Sequence, residues 1–161
     1  MIGRNIRREN DMKRIACFLL VTIFMMCWMA FPGSAAERKQ EIIQFEDGSY
    51  AIVEVTTTGA RAAKSVNGSK QYTYCDSDGV AQWKAVLNGS FTYTGSTATC
   101  TSSSCSITIY ISDWYTISKN ASKSGNVASC SVTMGKKVLG VVVDKMSANL
   151  SLKCDANGNL S

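Results

Sequence analysis

Trp83-Lys84-Ala85-Val86-Leu87-Asn88-Gly89-Ser90-Phe91-Thr92-Tyr93 is the stretch that decides the fold. Its odd positions are Trp, Ala, Leu, Gly, Phe and Tyr, and its even positions are Lys, Val, Asn, Ser and Thr. Successive side chains of a strand point to opposite faces, so this alternation predicts one continuous strand with the odd face turned inward. A turn at Asn88-Gly89 would set Val86 beside Phe91 and Lys84 beside Tyr93, mixing polar and apolar groups on one face. Gly89 is therefore expected inside the strand, as a bulge or a point of close approach.

The same period runs outward from it. Cys105, Ile107, Ile109 and Ile111 share one face; Cys130, Val132 and Met134 share another; Met146, Ala148, Leu150, Leu152 and Cys154 share a third. Trp114–Ala121 and Val127–Met134 flank the polar Ser122–Asn126 and predict a hairpin. Tyr72–Cys75 reads as a short strand ending at the Asp76-Ser77-Asp78-Gly79 turn. Val138–Val143 is an unbroken apolar run, expected as a strand covered on both faces or as a crossing between sheets. The sum is an all-β chain, an antiparallel β-sandwich of Ig-like type, with a barrel as the alternative. Upstream, Ile42–Phe45 and Tyr50–Val55 flank Asp47-Gly48, which favours a two-residue hairpin with Phe45 opposite Tyr50 and Ile43 opposite Ile52. This extra N-terminal hairpin reads equally as a separable pro-region or an added edge. The expected organisation is a leader over residues 1–36, hairpin and linker over 37–66, and the sandwich over 67–161.

The leader rests on Lys13-Arg14, the uncharged Ile15–Phe31, the helix-breaking Pro32-Gly33 and the small residues Ser34-Ala35-Ala36. That order is the pattern of a signal peptide with its helix and cleavage site, and it predicts a secreted, extracellular product starting at Glu37 with no stable membrane insertion after cleavage. Five of the 17 basic residues and two of the 12 acidic ones precede Glu37. The remaining segment is close to neutral, which gives no support to nucleic-acid binding.

Five of the seven cysteines follow the leader: Cys75, Cys100, Cys105, Cys130 and Cys154. In an exported chain without histidine or Cys-x-x-Cys they read as disulfide cysteines rather than zinc ligands. Cys105, Cys130 and Cys154 lie in phase with core residues, and Cys100 just precedes the strand of Cys105. Two bridges are expected, Cys100–Cys154 closing most of the domain and Cys105–Cys130 joining two inner faces. Cys75, in phase with Thr73, is the candidate odd thiol and the candidate link for a dimer. The order Tyr72-Thr73-Tyr74, Trp83-Lys84-Ala85, Gly89-Ser90-Phe91-Thr92-Tyr93-Thr94-Gly95, Ser122-Lys123-Ser124-Gly125-Asn126 and Leu152-Lys153-Cys154-Asp155-Ala156-Asn157-Gly158 resembles small secreted β-domain proteins of Gram-positive, Clostridia-type bacteria. The resemblance implies location and architecture and no activity. Cys100 and Cys154 match that group's pattern, and Cys75, Cys105 and Cys130 depart from it.

The absence of histidine excludes Ser-His-Asp and Cys-His catalysis. A glycosidase needs two carboxyl groups facing one sugar; Asp76, Asp78, Asp113, Asp144 and Asp155 are the candidates, and Asp76 with Asp78 reads first as a turn. Asp76–Gly79 and Asp155–Asn159 begin like calcium loops but lack the closing glutamate, so no metal or cofactor is expected. What remains is aromatic. Trp114 and Tyr115 between strands, and Tyr110 opposite an apolar face, are the candidate ligand-binding residues, with Trp114 also a candidate for the core. The function expected is non-enzymatic extracellular binding of a cell-surface or host glycan or protein. A secreted toxin or antimicrobial, and a carboxylate-dependent hydrolase, are the alternatives.

Overall fold

A computed structural model describes residues 38–58 and 64–161. The expected leader, with Cys17, Cys27 and the cleavage site, lies outside the described residues. β1 (Arg38–Gln44), β2 (Tyr50–Thr58), β3 (Ser65–Cys75), β4 (Ala81–Tyr93) and β5 (Ala98–Ile109) form one antiparallel sheet in that order. β6 (Trp114–Ser124), β7 (Val127–Val138) and β8 (Val141–Lys153) form a second. The described residues are all-β, with two antiparallel sheets sharing one core, a β-sandwich rather than a closed barrel.

Every described strand pairs only with its neighbour in sequence, so each sheet is a meander. This differs from the expected Ig-like arrangement, whose Greek keys need long connections between non-neighbours. Here each fully described loop within a sheet is short and reaches only the adjacent strand.

β4 carries the core as its alternation requires. Trp83, Ala85, Leu87 and Phe91 are buried, and across from them lie Cys130, Val132 and Met134 of β7 and Ala148, Leu150 and Leu152 of β8. Gly89 is the close approach: a Cβ there would stand 2.8 Å from the Phe91 ring and 3.1 Å from Ala128 Cβ. Tyr72 stacks on Trp83 with ring centroids 5.4 Å apart. The Trp83 indole N–H has no partner among the described residues.

The N-terminal hairpin is an added edge. β2 pairs with β3 from Tyr50↔Cys75 to Thr58↔Asn67, so β3 begins at Ser65 and the expected boundary at residue 66 falls inside a strand. Its register is also one residue off expectation: Ile42 faces Ile52, and Ile43 faces Ala51. The loop has three residues, not two. Phe45 N–H donates to Ser49 O, Gly48 N–H to Phe45 O, and Gly48 takes φ +83°. A three-residue loop places glycine in the left-handed region and shifts the pairing by one, which exchanges the faces. The same loop recurs at Asp76–Val80 and Asp155–Asn159, with Gly79 and Gly158 at φ +83°.

Cys105 of β5 is bonded to Cys130 of β7, joining the two sheets as expected. Cys100 and Cys154 are corrected: both are buried thiols, as is Cys75. Cys100 N–H donates to Gly125 O and Cys154 N–H to Asn126 O, so the β6–β7 turn holds the two cysteines side by side without a bond between them. Cys75 is 3% exposed, and a dimer link would need it at the surface.

Val138–Val143 is the largest departure. It is neither a covered strand nor a crossing but the exposed end of the β7–β8 hairpin, with Leu139-Gly140 as its turn.

Candidate functional site

At the end of the sandwich where β1 turns into β2 and β3 into β4, a cavity of about 200 Å³ opens between the sheets. The first loop contributes Asp47 and Ser49, and β3 with its following loop contributes Tyr74, Asp76 and Ser77. Gln82 comes from β4, Trp114 from the start of β6, and Lys136 and Asp144 from a cross-strand pair of β7 and β8. Three carboxylates, one ammonium, an amide and two aromatic rings thus converge from both sheets.

Loop chemistry fixes the first two carboxylates. Ser49 donates its N–H and its hydroxyl to Asp47 Oδ1, at 3.0 and 2.5 Å. The hydroxyl first, and the backbone amide second, hold the Asp47 carboxyl below its usual range. Asp76 Oδ1 accepts from the N–H groups of Asp78 and Val80, at 3.1 and 2.8 Å. The glycine-containing loop requires these bonds, because its inward-pointing amides have no ladder partner.

Gln82 ties the loops to the aromatic wall. It is 5% exposed; its Nε2 donates to Asp76 Oδ2 at 2.8 Å and to Val80 O at 3.1 Å, and its Oε1 accepts from Trp114 Nε1 at 3.1 Å. Its carbonyl accepts from the amides of Tyr110 and Ile111, which anchors the connection between the sheets. Tyr74 packs edge-on to Trp114 with centroids 5.6 Å apart, and Lys136 Nζ stands 5.9 Å from the Trp114 ring centre. Burial pushes the Tyr74 hydroxyl above its usual range; the Ser49 hydroxyl opposes this, while Asp47, Asp144 and Asp76 add to it. All three carboxylates therefore act on one phenol, and the cavity has an anionic rim.

Of the candidate ligand residues from the sequence, Trp114 reaches the cavity and is also buried core. Tyr110 is attached to Gln82 by its backbone, and its ring is half exposed outside the lining. Tyr115 lies against Gly135, under Lys137 Nζ at 4.4 Å from the ring centre. Asp78 does not join Asp76 at the cavity; Asp47 and Asp144 do. Asp47, Ser49, Tyr74, Gln82 and Lys136 are site residues the sequence reading missed. The only signal was that two aspartate-containing loops lie at the same end of one sheet, which needs the strand pairing to see.

The calcium-like loops close on themselves. Asp155 Oδ1 accepts from the amides of Asn157 and Asn159, both at 2.8 Å, as Asp76 does in its own loop. No group of three metal-ligating side chains occurs among the described residues.

Comparisons with family models, curated proteins and solved structures give no match to this chain.

Proposed function

We propose that the chain is a secreted, non-enzymatic binding protein, and that the cavity between the sheets takes a single sugar residue of a cell-surface or host glycan. The observation that carries this reading is the convergence of Asp47, Asp76, Asp144, Lys136 and Gln82 around the Trp114 indole. The volume lies below the roughly 300–1,000 Å³ of pockets for drug-sized ligands, so it suits one ring. Sugar hydroxyls donate to carboxylates and accept from an ammonium. Secretion follows from the leader pattern and from the resemblance to small exported β-domain proteins.

Binding without turnover is favoured by the state of the acids. Glycoside hydrolysis needs one carboxyl that keeps its proton near neutrality. Asp47 is shifted the other way, and Asp76 has both oxygens engaged by the loop and by Gln82. Three carboxylates in one cleft are nevertheless the feature a hydrolase would need, so the test must read product as well as binding.

A glycan array probed with wild type and Asp144→Asn provides it. The Asp144 carboxylate accepts from the neighbouring Lys145 amide, so the amide variant is expected to fold. Loss of one charged hydrogen bond should weaken binding by about tenfold or more. Silence of the wild type, or equal binding by the variant, overturns the sugar site. Release of a shortened glycan replaces the binding protein with an enzyme.

A further inference from the structure

The cavity between the sheets holds more negative charge than its own residues neutralise. Asp47, Asp76 and Asp144 line it, and Lys136 is the one cation of the lining. Three carboxylates against one ammonium leave two negative charges over. Lys136 and Asp144 are cross-strand partners and still form no ion pair; among the described residues the ion pair present joins Arg38 to Glu54. The Lys136 ammonium stands instead 5.9 Å from the Trp114 ring centre.

Hydrogen bonds within the fold use one oxygen of Asp47 and one of Asp144 and leave the other. Asp47 Oδ1 accepts from the amide and hydroxyl of Ser49, and Asp144 Oδ1 accepts from the Lys145 amide at 2.7 Å. Among the described residues no other residue donates to Asp47 Oδ2 or Asp144 Oδ2. The donors of the lining are committed elsewhere. The Gln82 amide donates to Asp76 Oδ2 and Val80 O, the Trp114 indole to Gln82 Oε1, and the Ser49 hydroxyl to Asp47. A ligand that fills the cavity must therefore bring donors, and a cationic donor adds Coulomb attraction to the hydrogen bond.

The spread of the carboxylates selects among cations. A calcium ion needs its oxygens about 2.3–2.6 Å from one point. Asp47, Asp76 and Asp144 do not form a group that could share such an ion. An ammonium on a carbon frame can reach one of them while hydroxyls of the same frame reach the others. A cavity of about 200 Å³ admits a frame of one ring.

We propose that the sugar taken by this cavity is an amino sugar with a free ammonium group, held by Asp47 and Asp144, so that the protein tells a de-acetylated glycan from its N-acetylated form. This rests on the reading of the cavity as a sugar site. N-acetylation leaves one N–H where the ammonium has three and removes the positive charge. Asp76, with both oxygens engaged, contributes charge without a free acceptor.

Isothermal titration with the trisaccharides of glucosamine, N-acetylglucosamine and glucose tests this, at about pH 6, where a sugar amine is protonated and the aspartates are ionised. Wild type should bind the glucosamine trisaccharide about tenfold more tightly than the other two, with the advantage shrinking as salt rises. Asp47→Asn and Asp144→Asn keep the oxygen that the internal hydrogen bonds use and remove the charge. Each should keep a thermal midpoint close to that of wild type and lose most of the preference for the amine. Equal binding of the three trisaccharides, or binding of the uncharged ones alone, overturns the amino sugar and leaves the sugar site standing. Binding of none of the three overturns the proposal, and a silent glycan array overturns the sugar site with it. A lysine-containing peptide bound in place of sugars overturns both in favour of a protein partner. A preference for glucosamine that both variants retain overturns the assignment to Asp47 and Asp144.

Discussion

Gln82→Leu is the substitution that most directly tests how the site is built. Gln82 is 5% exposed and makes three side-chain hydrogen bonds, one of them satisfying the Trp114 indole. Leucine has similar size, so the cavity left is small, but the Trp114 N–H becomes an orphan at a buried position, at about 1–3 kcal/mol. Asp76 loses the amide at Oδ2 yet keeps two backbone donors at Oδ1, so about 1 kcal/mol is expected there. Burying an aliphatic side chain in place of an amide returns about 1 kcal/mol. The net is a loss of about 2 kcal/mol, measurable by urea unfolding followed through tryptophan fluorescence. Gln82→Glu provides the counterpart. It keeps an acceptor for Trp114 but sets a second carboxylate where an amide donated to Asp76 at 2.8 Å. Two like charges so close raise the folded-state pKa of the pair above the unfolded value, so stability is fully present at low pH and lost as pH rises through the raised value. This variant should therefore be weak at pH 7 and recover toward pH 4. A Gln82→Leu within about 0.5 kcal/mol of wild type, or a Gln82→Glu with no acid recovery, would refute the account of Gln82 as the link between loop and indole.

Cys105→Ala with Cys130→Ala opens a bridge spanning 25 residues and should lower stability by about 3.5 kcal/mol on the chain-entropy relation, read from unfolding midpoints against oxidised wild type. Tyr72 gives an alkaline signature: burial, then the neighbouring Tyr74, push its hydroxyl from 10.0 to about 12. Because the folded-state value is the higher one, its contribution is complete below pH 10 and disappears between pH 10 and about 12. The full gap corresponds to about 2.7 kcal/mol, and about half is expected because the phenol is not fully shielded from water. Tyr72→Phe should flatten that part of the stability profile; an unchanged profile would assign the alkaline loss to other groups.

Strand faces were legible because the side-chain period of a strand is fixed at two. Trp83, Leu87 and Phe91 on one side, with Met134, Leu150 and Leu152 on the other, needed no tertiary information to be set inward; the same phase set Cys105, Cys130 and Cys154 inward alike and did not choose which of them pair. Register at the first hairpin was not legible, because Asp-Gly closes loops of two residues and of three, and the two differ by one position along the strand. Connectivity was missed for a related reason: strand count and spacing are shared by meanders and Greek keys. The apolar run at Val138–Val143 misled in the opposite direction, since hydrophobicity alone reads as burial, and nothing in Leu139-Gly140 announces a turn.

The cavity was hidden because its groups are spread from Asp47 to Asp144 and because its aspartates read as loop punctuation. They are punctuation. Asp155 shows the same loop closed on itself: its Oδ1 takes the loop amides, its Oδ2 takes the Asn159 side chain at 2.7 Å, and the loop amides and side chain draw its carboxyl below the usual range. At the other end of the sandwich, Asp76 satisfies an identical loop with Oδ1 and gives Oδ2 to Gln82, which in turn holds Trp114 at the cavity wall. One local motif is a closed turn in the first place and part of a ligand-sized cavity in the second. The difference comes from the strands that end there: β6, β7 and β8 bring an indole, an ammonium and a further carboxylate to the Asp76 loop. Chemistry in this fold is thus assigned by strand pairing, and a loop sequence acquires a role only once the opposite sheet is in place.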